Sequence, residues 1–276
     1  MGLFNHPVFI GLIIIALMVL IARKAQPAGD ASGDHFVGSF PVSSVGDTLR
    51  VATFNIQTGK SNTGERDIMR SARRIAHADL VGVQEVYAKS LLNRLGVGTE
   101  QSHALAASGN FNYVFNPTRR RWFSDHRGNA VFTRLPVTRW KTHMLPDQSG
   151  KSFRNMTVVR LTWNGQPLVF INTHLHTSTG RDEQLKQVLA EFARHPRAIL
   201  VGDFNTTPTD PQLITLLQQN SVTDAIGVLQ LDPKNDERID WILTKGFKVV
   251  GGNTSPKGIS DHPYYEVSLT DWVASE

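Results

Sequence analysis

Residues 156–175 read MTVVRLTWNGQPLVFINTHL. Two β-rich runs, 156–163 and 167–175, flank Asn164-Gly165, the dipeptide that best tolerates the positive φ angles of a tight hairpin turn. An antiparallel pair is therefore expected at the centre of the chain. Downstream, RDEQLKQVLAEFARH (181–195) has the spacing of an amphipathic helix, and AILVGDFN (198–205) reads as a buried strand ending in polar residues. Upstream, LRVATFNI (49–56) and DLVGVQEV (79–86) read as strands, and AVFTRLPVTRW (130–140) as one more. Between the first two, ERDIMRSARRIA (65–76) places Ile68, Ala72, Ile75 and Ala76 on one helical face and Arg66, Arg70 and Arg73 on another, with Asn62 or Thr63 as its cap. RIDWILT (238–244) and YYEVSLT (264–270) are strand-like near the end. Many hairpins and few crossover helices predict a four-layered α/β sandwich, with two mainly antiparallel sheets face to face and helices outside.

The chain has 276 residues and no cysteine, which excludes a disulfide, a thiolate metal site and a cysteine nucleophile. A formal charge of +5 favours anionic partners such as phosphate esters, nucleic acid or lipid headgroups. The first 24 residues read separately from the rest: VFIGLIIIALMVLIA (8–22) carries no charge, and the apolar run begins at Phe4. It is followed at once by Arg23 and Lys24. An uncleaved, single-pass membrane anchor through residues 4–22 is the expectation, in a bacterial inner membrane, with a cleaved signal peptide as the rival reading. The side of the membrane is left open by so few flanking charges. Residues 25–48 are rich in Gly, Ser, Ala and Asp and read as a linker, and 49–273 as one domain, expected to be monomeric.

Polar residues gather where the apolar runs end. Asn55 closes LRVATFN, Glu85 follows DLVGVQ, His174 sits in FINTHLH, and Asp203 and Asn205 end ILVGDFN. Asp240 lies inside RIDWIL, and Asp261 and His262 precede the last strand. A carboxylate after several buried apolar residues is costly unless paired or bound to a cation. Hard cations such as Mg²⁺ take oxygen ligands, so Glu85 fits a ligand role, with Asn55 as a neutral oxygen ligand or phosphate contact. Hydrolysis of a phosphodiester also needs a group to serve the attacking water, for which Asp203 is suited, and donors for the phosphoryl oxygens, for which Asn205, His174 and His262 are suited. No Gly-Xaa-Ser-Xaa-Gly elbow occurs, which disfavours a serine hydrolase.

The ordered blocks FNIQ, QEV, NTHL, GDFN, RIDWIL and SDH resemble the endonuclease/exonuclease/phosphatase superfamily, which includes abasic-site endonucleases, deoxyribonuclease I, bacterial sphingomyelinases and inositol-polyphosphate phosphatases. The resemblance runs from Leu49 to Leu269. It implies a deoxyribonuclease I-like fold and a metal-dependent phosphoric ester hydrolase. Glu85 then looks like the principal Mg²⁺ ligand (Mn²⁺ being a possible substitute), with Asn55 beside it and Asp261 on the metal side. Asp203 looks like the residue that positions or activates water, and Asn205 would hold that water or a phosphoryl oxygen. His262 resembles the histidine beside the scissile phosphate, oriented by Asp240, and His174 the phosphate-contacting histidine. The block GNAVFTRLPV implies a phosphate contact for Asn129, with Thr133 where serine is common.

TRRRWFSDHR (118–127) interleaves arginines with aromatics just before that block, so Arg119, Arg120, Arg121 and Trp122 are candidate substrate contacts. The same composition suits a nucleic-acid strand and an anionic headgroup. A Mg²⁺-dependent phosphodiesterase is expected, with nuclease activity favoured. A phospholipid- or sphingomyelin-type phosphodiesterase and a non-catalytic membrane-anchored binding protein are the alternatives.

Overall fold

In a computed structural model, which describes residues 7–42, 45–88, 100–120, 126–148, 150 and 152–272, two seven-stranded sheets face each other. The first contains β1 (Gln26–Pro27), β3 (Leu49–Asn55), β4 (Leu80–Ala88), β5 (Asn112–Arg120), β6 (His126–Thr133), β13 (Phe247–Ser255) and β14 (Tyr264–Asp271). Its order is β1-β5-β6-β4-β3-β14-β13. The second contains β2 (Ala31–Gly33), β7 (Val137–Met144), β8 (Asn155–Trp163), β9 (Gln166–His174), β10 (Ala198–Asp203), β11 (Val222–Asp224) and β12 (Asp240–Lys245), in the order β11-β12-β10-β9-β8-β7-β2. Helices α1 (Pro7–Arg23), α2 (Ile68–Ile75), α3 (Gln101–Gly109), α4 (Arg181–Ala193), α5 (Pro211–Leu217) and α6 (Ala225–Val228), with short 3-10 turns at Gln57–Gly59 and Asn235–Glu237, complete the described elements.

Three apolar clusters explain the layering. Val51, Val131, Trp163, Phe170, Val201 and Ile242 fill the space between the sheets. Phe54, Ala72, Ile75, Leu105 and Phe132 seal α2 and α3 onto the first sheet. Leu185, Val188, Phe192, Leu213 and Trp241 seal α4 and α5 onto the second. Strands covered on both faces read as near-continuous apolar runs, as AILV and LVGV do.

Within these sheets the pairs β3–β4 and β9–β10 are parallel, and the other ladders are antiparallel. That detail positions the site. A parallel pair brings two strand C-termini to the same rim, so Asn55 lies beside Gln84, and His174 lies beside Asp203. β12 runs the other way and presents its first residue there, pairing Asp240 with Asp203.

Buried polar side chains stitch the sheets together beneath this rim. Gln84 donates to Asn172 at 2.8 Å, and Asn172 donates to the Ala130 carbonyl at 2.9 Å. Asn116 donates to Thr157 at 3.0 Å and Asn129 to Asn155 at 2.9 Å. Paired polar groups of this kind set one lateral position for the two sheets, since sliding would leave them unsatisfied.

Gly202 permits β10 to approach β9. Its φ is +143°, and a Cβ there would lie 2.0 Å from the Thr173 carbonyl oxygen. Gly202→Ala is expected to cost roughly 2–4 kcal/mol, read as a lower urea midpoint with an unchanged slope. A midpoint equal to that of the natural chain would refute this account of the close approach.

Several expectations change. The run 130–140 is not one strand: it breaks at Leu135-Pro136, and its two parts, β6 and β7, join different sheets. Pro136 cannot donate into a ladder, which makes it a natural point for the chain to cross. Helix α2 begins at Ile68, not near residue 65, because Asp67 caps it by accepting from the Met69 amide at 2.9 Å; Asn62 and Thr63 lie in the preceding loop. Residues 25–48, read as a linker, contribute edge strands β1 and β2 to the two sheets. Among the described residues no helix is long and apolar enough to cross a membrane. Helix α1 runs for 17 of the described residues.

Candidate active site

The in-register triplet His174–Asp203–Asp240 forms one row across β9, β10 and β12. Asp203 is buried at its centre. Its Oδ2 accepts from Asn55 Nδ2 at 3.0 Å, across from the other sheet, and its Oδ1 accepts from the Asn205 amide at 3.0 Å. His174 Nε2 lies 3.3 Å from the same Oδ2, and His262 Nε2 lies 3.6 Å from it. The other ring nitrogen of His262, Nδ1, is 2.8 Å from Asp240 Oδ2. His262 is thus held between two carboxylates, one fixing its orientation and one facing its free edge.

Burial pushes the Asp203 carboxyl up to about 7, with Asp240 adding to the shift while His262 and Asn55 oppose it. Burial alone would lower the His262 imidazole, but Asp240, as charge and hydrogen-bond partner, and then Asp203 raise it to about 9. Burial drives His174 well below its ordinary value, helped by Arg154 and His262, which favours the neutral imidazole.

The sign of the linkage follows from these shifts. His262 has a folded pKa above its ordinary 6.5, so its stabilising contribution is complete below about 6.5 and is lost as pH rises through about 9. The Asp203 contribution likewise falls as pH rises through about 7. In EDTA, the stability advantage of the natural chain over His262→Gln is expected to shrink between about pH 7 and about pH 9, measured by thermal melting. A difference that grows over that range would contradict the ion-pair geometry.

The first sheet supplies the other side of the site. Glu85 has a left-handed φ of +61° where β4 loses register against β6 between Val83 and Val86. Such backbone persists only where its surroundings hold it, and here it turns a carboxylate out of an apolar strand. That carboxylate pairs with Arg127. Asn205 has φ +49° and donates its side-chain amide to the Leu175 carbonyl at 3.0 Å. Asp261 is exposed at the rim, its carboxylate accepting from Gln57 at 2.7 Å and Ser260 at 3.2 Å. Ser260 also donates to the Asn55 carbonyl at 2.6 Å, tying the final loop to β3.

Of the residues expected from the sequence, Asn55, His174, Asp203, Asn205, Asp240 and His262 come together in one hydrogen-bonded cluster. Asp261 borders it through Gln57 and Ser260. Glu85, Asn129 and Arg119 line an adjoining cavity that includes His174. Asn129 has its amide committed to Asn155, and Arg120 is exposed on β5. Arg121 and Trp122 lie outside the described residues. Arg154, which the sequence reading passed over, and Arg127, which it quoted at the end of TRRRWFSDHR without naming it a contact, line the same cavity. Nothing in their local pattern separates them from solvated arginines.

The donors fit a hard divalent cation. Asp203, Asp240 and His262 each place a ligand atom within 4.8 Å of the others, a group that could hold a metal ion, and Asp240 Oδ1 is buried without a hydrogen-bond partner. Glu85 and Asn55, on the neighbouring strands β4 and β3, offer a carboxylate and an amide oxygen. A histidine raised to about 9 carries a proton at neutral pH and is a poor ligand, so the oxygen donors are the better match.

Comparison with solved structures gives the same architecture. An endonuclease/exonuclease/phosphatase from Beutenbergia cavernae superposes with a TM-score of 0.66 at 24% identity, covering 82% of this chain and 72% of that one. The mannosyl-6-phosphatase Bt3783 of Bacteroides thetaiotaomicron gives 0.59 at 18% identity, covering 80% and 99%. A humanized TDP2 from D. rerio gives 0.58 at 16% identity, covering 81% and 99%. No curated protein matches the sequence. The sequence profile of the Endonuclease/Exonuclease/phosphatase family matches residues 52–262, a span that includes Asn55, Glu85, the row on β9, β10 and β12, and His262. The chain therefore belongs to the Endonuclease/Exonuclease/phosphatase family and is a phosphoric ester hydrolase.

Proposed function

We propose that the chain hydrolyses a phosphodiester with Mg²⁺, or Mn²⁺ in its place, by in-line attack of water on phosphorus. The observation that carries this reading is the His262 imidazole set between Asp240 at 2.8 Å and Asp203 at 3.6 Å. Asp203, raised to about 7, is a base matched to neutral pH and takes the proton of the attacking water. Asn205, whose amide holds Asp203, keeps that carboxylate and the water aligned. The water oxygen bonds to phosphorus as the opposite ester P–O bond breaks. The His262 imidazolium, oriented by Asp240 and on the same side as Asp203, donates its Nε2–H to a non-bridging oxygen, and the departing oxygen takes its proton from solvent, leaving an alcohol and a phosphomonoester. Neutral His174 donates to a non-bridging oxygen, and Asn129 donates to another with the second hydrogen of the amide whose first is bonded to Asn155. Glu85 and Asn55 would hold the cation, with Asp261 on the same side. When bound, a divalent cation supplies positive charge to the phosphoryl oxygens as charge develops there.

Nucleic acid is the favoured substrate, on the charge of +5 and the arginines at the end of β5. The membrane reading is supported by α1, whose large apolar side chains face outward, Leu12 at 59% and Leu20 at 65% exposed. A tether through residues 4–22 in a bacterial inner membrane would bury them, and it gives a lipid diester its place as the second reading. The test uses the full chain in detergent with Mg²⁺ or EDTA on DNA, RNA and sphingomyelin. Metal-dependent cleavage of nucleic acid that exceeds lipid cleavage supports the reading, and the reverse ranking replaces it with the lipid one. Metal binding without turnover on any substrate would favour a non-catalytic binding protein.

A further inference from the structure

The outer face of the second sheet carries a basic flank that the proposed chemistry does not use. Along β7, Trp140 packs against the core between the sheets, and Thr142 meets Thr157 there at 3.1 Å. Side chains alternate along a strand, so Arg139, Lys141 and His143 point the other way. On β8, Val158 belongs to the layer sealed by α4, and Arg160 shares its face. Arg139 and Arg160 are direct cross-strand partners, and Lys141 follows on the same face. All three cations are exposed.

They border a groove of about 260 Å³, in which Glu191 of α4 is the only carboxylate among the lining residues. Glu191 is engaged elsewhere: it accepts from Arg194 at 2.8 Å and lies 3.0 Å from His195 Nε2. His143, the fourth basic group of the groove, faces Asp30 at 3.4 Å. Arg139, Lys141 and Arg160 enter no ion pair formed among the described residues. Like charges directly opposite each other across a ladder are unfavourable, and an anion between them reverses the sign. The active site does not supply that anion. Met144 ends β7 beside Asn155, near the rim, and Arg139 lies five residues earlier. At ~3.4 Å per residue that is about 17 Å, so the phosphate being cleaved does not touch it.

We infer that this flank docks on anionic lipid headgroups of the bilayer that holds residues 4–22. The inference rests on the tether proposed above and adds an orientation to it. Chain connectivity is what favours a membrane over other polyanions. β2 begins eight residues after Arg23, the last residue of α1, and pairs Ala31, Ser32 and Gly33 with Thr142, Lys141 and Trp140. Eight extended residues span at most about 29 Å, so the tether itself delivers β7 to the membrane surface. Arg139 lies past the end of that pairing, at the edge of the sheet. Lysine and arginine stems are long enough to reach headgroups from there, each adding attraction to an anionic surface. Docked so, the flank faces the bilayer and the rim of the site opens to its side.

The test places the full chain in nanodiscs of phosphatidylcholine, alone or with about 30% phosphatidylglycerol, and follows acetylation of its lysines by mass spectrometry. Phosphatidylglycerol is expected to slow acetylation of Lys141 roughly tenfold and to leave Lys248, exposed on β13, unchanged. About 0.5 M salt should restore the Lys141 rate, since it screens charges beyond a few ångströms. Arg139→Gln combined with Arg160→Gln should bring the protection to within about twofold of none. A chain that does not stay with the neutral discs overturns the tether, and the docking with it. A chain that stays, with Lys141 equally reactive in both discs or protected no more than Lys248, overturns the docking alone. Protection that survives the double substitution also overturns it. Protection of Lys141 by a single-stranded oligonucleotide in EDTA, without any by phosphatidylglycerol, would assign the flank to nucleic acid and overturn the proposal.

Discussion

Asp203→Asn is expected to lower kcat/KM by about a thousandfold while leaving the fold intact. Its carboxylate is the meeting point of the site, reached by Asn55 from one sheet, by the Asn205 amide, and by the edges of His174 and His262. An amide of the same shape keeps an acceptor for the Asn205 amide but cannot take up a proton from water. The substitution also removes a buried acid that Asp240 crowds, so melting in EDTA near neutral pH is expected at the same temperature or higher. Loss of activity with retained stability would assign Asp203 to the chemistry. Activity within about tenfold of the natural chain would remove it from the proposed role.

Asp240→Asn is expected to lower kcat by about a hundredfold or more, through His262 rather than through contact with substrate. Asp240 Oδ2 accepts from His262 Nδ1 at 2.8 Å, which sets the ring plane and keeps the outer Nε2 protonated. An amide in its place removes the charge and admits the other tautomer. The limb of the pH profile that belongs to His262 should then fall from about 9 toward its ordinary 6.5. A residue that only supports folding would reduce active enzyme without moving that limb. A large loss of rate with an unmoved limb would therefore contradict the positioning role.

The layering and the polar strand ends were legible in the sequence because both follow from short-range pattern. Apolar runs closed by Asn55, His174 and Asp203 announce strands that end at a polar rim, Glu85 falls at the register break within β4, and Asn164-Gly165 announces the hairpin that becomes β8 and β9. Their convergence has a topological cause, the parallel pairs β3–β4 and β9–β10, which no local pattern encodes. The inter-sheet seam was less visible. Gln84 and Asn172 are polar residues inside apolar runs and could have been flagged on that ground, but Asn116 and Asn155 find their partners only when the sheets face each other. Arg127 and Arg154 lie among polar neighbours in sequence, and the cavity they line exists only in three dimensions. Helix α3 is built from small residues in HALAASG, too weakly amphipathic to announce itself. The early strands β1 and β2 are short edge additions drawn from a Gly- and Ala-rich stretch that reads as linker by composition.

The central claim is that water attacks phosphorus at the row formed by His174, Asp203 and Asp240. The most direct test is to run the Mg²⁺-supported cleavage of a diester in heavy-oxygen water and to locate the label by mass spectrometry. Incorporation of one labelled oxygen per turnover into the phosphomonoester and none into the alcohol, with labelled product formed about a thousandfold more slowly by Asp203→Asn, is the predicted result. Label in the alcohol, or label in the phosphomonoester formed at an undiminished rate by Asp203→Asn, would contradict it.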